Sequence, residues 1–198
     1  NNDPEAIAKM FAASITLGVG QFCTKPGIFV GMEGDSLITF TTTLAAELKD
    51  TSVGLMLHQG IETAYQQNAT KALQQQDVKN LSEFANQNNS LENKLSPTPI
   101  LSTTTAKAFL QNPILHKEVF GPYAIIVRCI NEEEVLQVAK NLEGQLTSTI
   151  MATLTDLQNN ENLIDCIKNC CGRIILNTVP TGVEVVEAMQ HGGPFPAS

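Results

Sequence analysis

The chain has 198 residues, 12 Lys and Arg against 20 Asp and Glu, a net charge of -8 and a hydrophobic fraction of 42%. That is the length and make-up of one globular domain with a full core. The acidic balance argues against a nucleic-acid or anionic-membrane partner, and no apolar run reaches the length of a membrane span. The five cysteines, Cys23, Cys129, Cys166, Cys170 and Cys171, form neither a disulfide-scaffold nor a zinc pattern and suit the reducing cytoplasm.

In chain order, Asp3-Pro4-Glu5 opens a helix with a cap, a first-turn proline and an acid at the positive end of the dipole. Ile7, Met10, Phe11 and Ile15 recur at helical spacing until Gly18 and Gly20 stop the run. Ile28-Phe29-Val30 reads as a short buried strand. Asp35 or Ser36 caps a second helix with Leu37, Leu44 and Leu48 on one face, and a third spans Ile61 to Leu73. The Gln/Asn-rich stretch from Gln74 to Leu95 reads as a surface helix and loop. Pro99 to Ser102 is a strand, and Ala106, Phe109 and Leu110 lie on the following helix. Tyr123-Ala124-Ile125-Ile126-Val127 is apolar throughout, as in a strand covered on both faces. Asn131 caps an acidic helix whose core face is Val135, Leu136, Val138, Ala139 and Leu142. Thr149 to Leu154 gives another strand, a helix carries Leu163, Ile164 and Ile167, and Arg173 to Leu176 forms the last strand. This alternation predicts an α/β fold: a three-layer αβα domain with a largely parallel sheet.

Cys23 lies in Gly20-Gln21-Phe22-Cys23-Thr24-Lys25-Pro26-Gly27, a polar turn and not an apolar run. Such a turn can expose the sulfur and aim backbone N–H groups at it, which a thiolate nucleophile needs; the alternative is a structural thiol. Two further segments, Glu118-Val119-Phe120-Gly121-Pro122 and Asn177-Thr178-Val179-Pro180-Thr181-Gly182, follow in order. Working residues of parallel sheets collect in loops beyond the strands' carboxyl ends, and all three segments fall near element ends. Gly18-Val19-Gly20 is not a dinucleotide loop, because the third glycine is absent and the pair follows a helix. Cys166, Cys170 and Cys171 lack paired Cys-x-x-Cys spacing and read as packing cysteines, with no metal site expected. His58 and His116 read as structural or surface residues.

Together the three segments resemble the catalytic domain of aldehyde dehydrogenases. Within them, Gln21 to Gly27 and Pro180-Thr181-Gly182-Val183-Glu184-Val185 with His191-Gly192-Gly193-Pro194 are most similar to 2-oxoglutarate semialdehyde (2,5-dioxovalerate) dehydrogenases. The resemblance implies that NAD or NADP is the cofactor, a small aldehyde the substrate, and Cys23 the nucleophile, passing through a thiohemiacetal and a thioester. It assigns Glu118 to the nicotinamide ribose hydroxyls, since a carboxylate accepts two hydrogen bonds at once, and Phe120 to the nicotinamide's surroundings. Phe22, Val185 and His191 are the candidate substrate wall. It also implies a homodimer or homotetramer. The ends, Asn1-Asn2-Asp3-Pro4 without Met and Phe195-Pro196-Ala197-Ser198 in a loop, read as a trimmed segment; the family's cofactor-binding domain and general-base glutamate would lie outside it. Such a segment alone is expected to be inactive. The competing reading is a cysteine hydrolase or acyltransferase with His191 as base for Cys23, working without nicotinamide. A non-catalytic interaction module would leave the three motifs without a cause.

Overall fold

The computed structural model describes residues 3–82, 95–182, 186–189 and 191–197. The central element is β4, Tyr123–Cys129, which pairs in parallel with β1, Ile28–Met32, on one side and with β3, Ile100–Thr105, on the other. A two-residue β2, Lys79–Asn80, runs antiparallel at the outer edge of β3, giving the order β1-β4-β3-β2. A second sheet pairs β5, Gln145–Ile150, in parallel with β6, Cys171–Leu176.

The twofold alternation of β4 divides the core. Tyr123, Ile125, Val127 and Cys129 join a cluster with Tyr65 and Ala69 of α3 (Gln59–Leu73), Phe109 of α4 (Ala106–Gln111) and Val138 of α5 (Glu132–Asn141). Ala124 and Ile126 point the other way, against Phe11 and Ile15 of α1 (Pro4–Thr16) and Phe40, Leu44 and Leu48 of α2 (Asp35–Asp50). Helices therefore cover both faces, and the three-layer αβα architecture is present. Two further helices, α6 (Leu154–Asn159) and α7 (Glu161–Cys170), connect β5 to β6.

Several helix ends form as their residues dictate. Asp3 accepts from Glu5 N–H at 3.0 Å, and Asn131 accepts from Glu134 N–H at 2.9 Å. The second helix differs: Gly34 is its cap, without a side-chain bond, and Asp35 is already its first residue. His58 caps α3 by accepting from Gly60 N–H at 3.0 Å, and His116 stacks on Phe109 at 4.2 Å, so both are structural.

Three expectations need correction. The strand at 28–30 is not buried: β1 is the sheet's edge, and Val30 and Met32 are exposed. The strand expected at 149–154 is displaced towards the N-terminus, because Thr153 and Asp156 form a reciprocal capping box that starts α6 at Leu154. Within the stretch from 74 to 95, Lys79 and Asn80 form β2, and residues 83–94 lie outside the described ones. Of the clustered cysteines, Cys171 is buried while Cys166 and Cys170 are half-buried where α7 packs on α5. Among the described residues no helix is long and apolar enough to cross a membrane.

Ile126 has no exposed surface and touches the α1–α2 layer, whereas Val30 is 37% exposed on the edge strand. Ile126→Ala is expected to lower unfolding free energy by about 2–5 kcal/mol. Val30→Ala should cost well under half of that. Urea titration of both variants checks the assignment of the buried and edge strands.

Candidate functional site

The chain leaves α1 through three successive left-handed residues, Gly18 (φ 54°), Val19 (φ 62°) and Gly20 (φ 67°). Val19 is β-branched and buried, so its positive φ is strained, of order 1–3 kcal/mol, and is held by its surroundings. The strain redirects the backbone into a tight turn over residues 22–25, closed by Lys25 N–H donating to Phe22 O at 3.1 Å. Cys23 sits in the first central position of that turn with its thiol exposed, while Thr24 and Lys25 are buried. Gln21 braces the approach, donating through Nε2 to Gly18 O at 3.0 Å and accepting from Leu57 N–H at 3.0 Å.

The second loop, 118–122, lies directly beside the first. A Cβ on Gly20 would come within 2.6 Å of Gly121 O and Pro122 N, so these two backbones touch and only glycine fits. Gly121 (φ 132°) has the same restriction from below, where a Cβ would reach the Tyr65 ring at 2.5 Å. Tyr65 itself is fixed by donating from its hydroxyl to Thr98 O at 2.7 Å. The closest tie is Lys25. Its ammonium donates to Val119 O at 3.2 Å and Tyr123 O at 2.9 Å, on either side of Phe120-Gly121-Pro122. Burial pulls its pKa down to about 8, against the opposing pull of the Glu118 carboxylate.

The third segment reaches the same helix by another route. Asn177 (φ 54°) ends β6 and replaces a strand neighbour with its amide: Oδ1 accepts from Ala152 N–H and Nδ2 donates to Ala152 O, both at 2.9 Å. The chain then brings Thr181 to a buried 2.6 Å hydroxyl contact with Ser14, in the C-terminal half of α1.

Cys23, Glu118 and Phe120 thus fall on neighbouring loops, with Glu118 exposed and Phe120 38% exposed. Phe22, 39% exposed, lays its ring over Gly18. His191 is exposed, and among the described residues no hydrogen bond joins it to Cys23. Val185 lies outside the described residues. One expectation is reversed: the Cys23 and Glu118 loops precede β1 and β4, so they gather at the amino ends of these strands and not the carboxyl ends. Lys25 and Thr181 stand in the motifs, but their contacts with Val119, Tyr123 and Ser14, and the place of Tyr65 beneath Gly121, are not legible in the sequence. Only the charge of Lys25, unusual just before a Pro-Gly entry to a strand, could have drawn notice.

The fold is an αβα domain in which an exposed cysteine in a strained turn packs against a Glu-x-Phe-Gly-Pro loop. The chain belongs to the aldehyde dehydrogenase family, whose model matches residues 1–194. It is 40% identical over 194 residues to alpha-ketoglutaric semialdehyde dehydrogenase 2 of Azospirillum brasilense and 36% identical to alpha-ketoglutaric semialdehyde dehydrogenase of Acinetobacter baylyi. Each match covers 98% of this chain and 36% of the relative, so the chain spans about a third of their length. Among solved structures, the fold is similar to succinic semialdehyde dehydrogenase from Streptococcus pyogenes, solved with NADP+ (TM-score 0.73, 19% identity, 94% of this chain and 40% of that one). It is also similar to PnpE in complex with nicotinamide adenine dinucleotide (TM-score 0.77, 21% identity, 96% and 39%).

The depressed Lys25 pKa carries a sign that can be measured. Between about pH 8 and 10.5 the unfolded chain holds a proton on Lys25 that the native chain has lost, so this residue makes stability rise with pH. Lys25→Met removes that contribution. Denaturant midpoints from pH 7.5 to 10.5 should therefore climb more steeply, or fall less, in the unsubstituted protein than in the variant.

Proposed function

We propose that the chain is the catalytic-domain part of a longer NAD(P)-dependent aldehyde dehydrogenase, and that its substrate is a small oxo-acid aldehyde such as 2-oxoglutarate semialdehyde. The observation that carries this is the exposed Cys23 turn locked against the Glu118–Pro122 loop, in a chain of this family. The two relatives named for alpha-ketoglutaric semialdehyde support that substrate class.

In this reading Cys23 Sγ attacks the aldehyde carbon, forming the C–S bond and an oxyanion. The Cys23 backbone N–H, which donates to no acceptor among the described residues, stabilises that oxyanion. The thiohemiacetal carbon gives up its hydride, the carbonyl re-forms as a thioester on Sγ, and water cleaves the C–S bond to release the acid and the thiol. A bound nicotinamide supplies the acceptor for the hydride. The residues present suit its ribose half: the Glu118 carboxylate is exposed, and a carboxylate can accept from both hydroxyls of a diol. Phe120 offers a half-exposed ring beside it. Phe22, Val185 and His191 are proposed for the substrate wall. The five free thiols accord with a reducing cytoplasm, and the assembly is proposed to be a homodimer or homotetramer. The alternative hydrolase needs a Cys23–His191 hydrogen bond, which is not among the bonds of the described residues.

The test uses the full-length enzyme with 2-oxoglutarate semialdehyde and with a simple aliphatic aldehyde, following NAD(P)H absorbance. Cys23→Ala should lower turnover by about 10³-fold or more. This chain alone should produce no steady NAD(P)H. A full-length protein that reduces no cofactor with any aldehyde, yet hydrolyses an activated ester without cofactor, would establish the hydrolase instead.

A further inference from the structure

The proposed chemistry uses Cys23 and Glu118 but leaves Lys25 unassigned, although it touches both of their loops. Its backbone N–H closes the turn that presents Cys23, and its ammonium grips the carbonyls at both ends of Phe120-Gly121-Pro122. The residue is 9% exposed, and a Cβ on Gly27 would lie 3.3 Å from Nζ, so the amine is enclosed. Burying an ammonium costs several kcal/mol, and neutral carbonyls offset only part of that; Glu118 acts on it through space. A residue needed only to fill volume would be better as methionine, which packs without a charge. The cation is spent on position. Its bond to Tyr123 O continues the β1–β4 ladder past the last backbone rung, Ile125 N–H to Gly27 O at 2.9 Å.

We propose that Lys25 is a positioning residue for hydride transfer: by clamping the 118–123 loop to the Cys23 turn, it sets the gap between the thiol and the nicotinamide site. This rests on the dehydrogenase reading above. Lys25 reaches neither substrate nor cofactor in this scheme. It acts through two loop backbones, and a displacement of the order of 1 Å between reacting groups can cost about 10²-fold in rate.

Lys25→Met, made in the full-length enzyme, is expected to lower kcat by about 10- to 100-fold. The aldehyde KM should stay within about threefold, since no substrate contact is removed. A deuterated aldehyde should reveal a larger isotope effect on kcat in the variant, because the hydride step is the one slowed. Alkylation of Cys23 by iodoacetamide, located by peptide mass spectrometry, should keep its rate and show an intact turn. Amides of 118–123 should exchange faster with deuterium while those of α5 do not change. If the methionine variant does not fold, Lys25→Gln takes its place with the same expectations. An active unsubstituted enzyme whose variant keeps its kcat and isotope effect would overturn the role of Lys25 alone. A loss of kcat matched by an equal loss of Cys23 alkylation would overturn it as well, as general damage. An unsubstituted enzyme that reduces no cofactor would instead sink the dehydrogenase reading, and this role with it.

Discussion

The parallel register between β1 and β4 is the constraint on which the site depends. Ile28 lies opposite Ile125, so the segments entering the two strands arrive at the same end of the sheet, side by side. One carries Cys23 and the other Glu118 and Phe120. Sequence separates them by about a hundred residues, but the sheet brings them together. The Gly20–Gly121 backbone contact and the Lys25 ammonium then join the two adjacent loops into one rim.

The rest of the fold supports that rim. The β4 core holds the strand from both faces, with Tyr65 beneath Gly121 on one side and the Phe11–Phe29–Phe40 group on the other. The left-handed run at 18–20 is tolerable only because Val19 is buried in the same core cluster as Met56 and Tyr65. Packing energy from the core is thereby converted into an exposed thiol at a defined place, as the nucleophilic role proposed for Cys23 requires. Thr181 on Ser14 brings the third segment to the helix that feeds the same turn.

Much of this was legible in the residues. The caps at Asp3 and Asn131, the apolar β4 and the helical stripes all follow local rules that tertiary structure did not override. Where local signals were weaker than their competitors, the reading slipped. Gln145-Leu146-Thr147-Ser148 has little apolar pattern, so the residues point instead to a strand at Thr149 to Leu154, where the Thr153 box already begins a helix. An apolar run such as Ile28 to Val30 cannot reveal whether it is central or at an edge, because that is decided by which strands lie beside it. The same limit hid the site's orientation: loop position relative to strand ends depends on topology. The motif residues themselves were visible as a resemblance. The Lys25 clamp was not, because its partners are carbonyls and every residue has one.

The chemistry implied by this arrangement can be tested on the covalent intermediate. The full-length enzyme would be mixed with NAD(P)+ and 2-oxoglutarate semialdehyde, quenched in acid within a turnover, and its peptides weighed. The scheme requires a thioester on the Cys23 peptide, heavier by the aldehyde less two hydrogens, and none on the peptides of Cys129, Cys166, Cys170 or Cys171. An acyl group on any of those thiols, or turnover with no adduct at Cys23 under any quench, would contradict it.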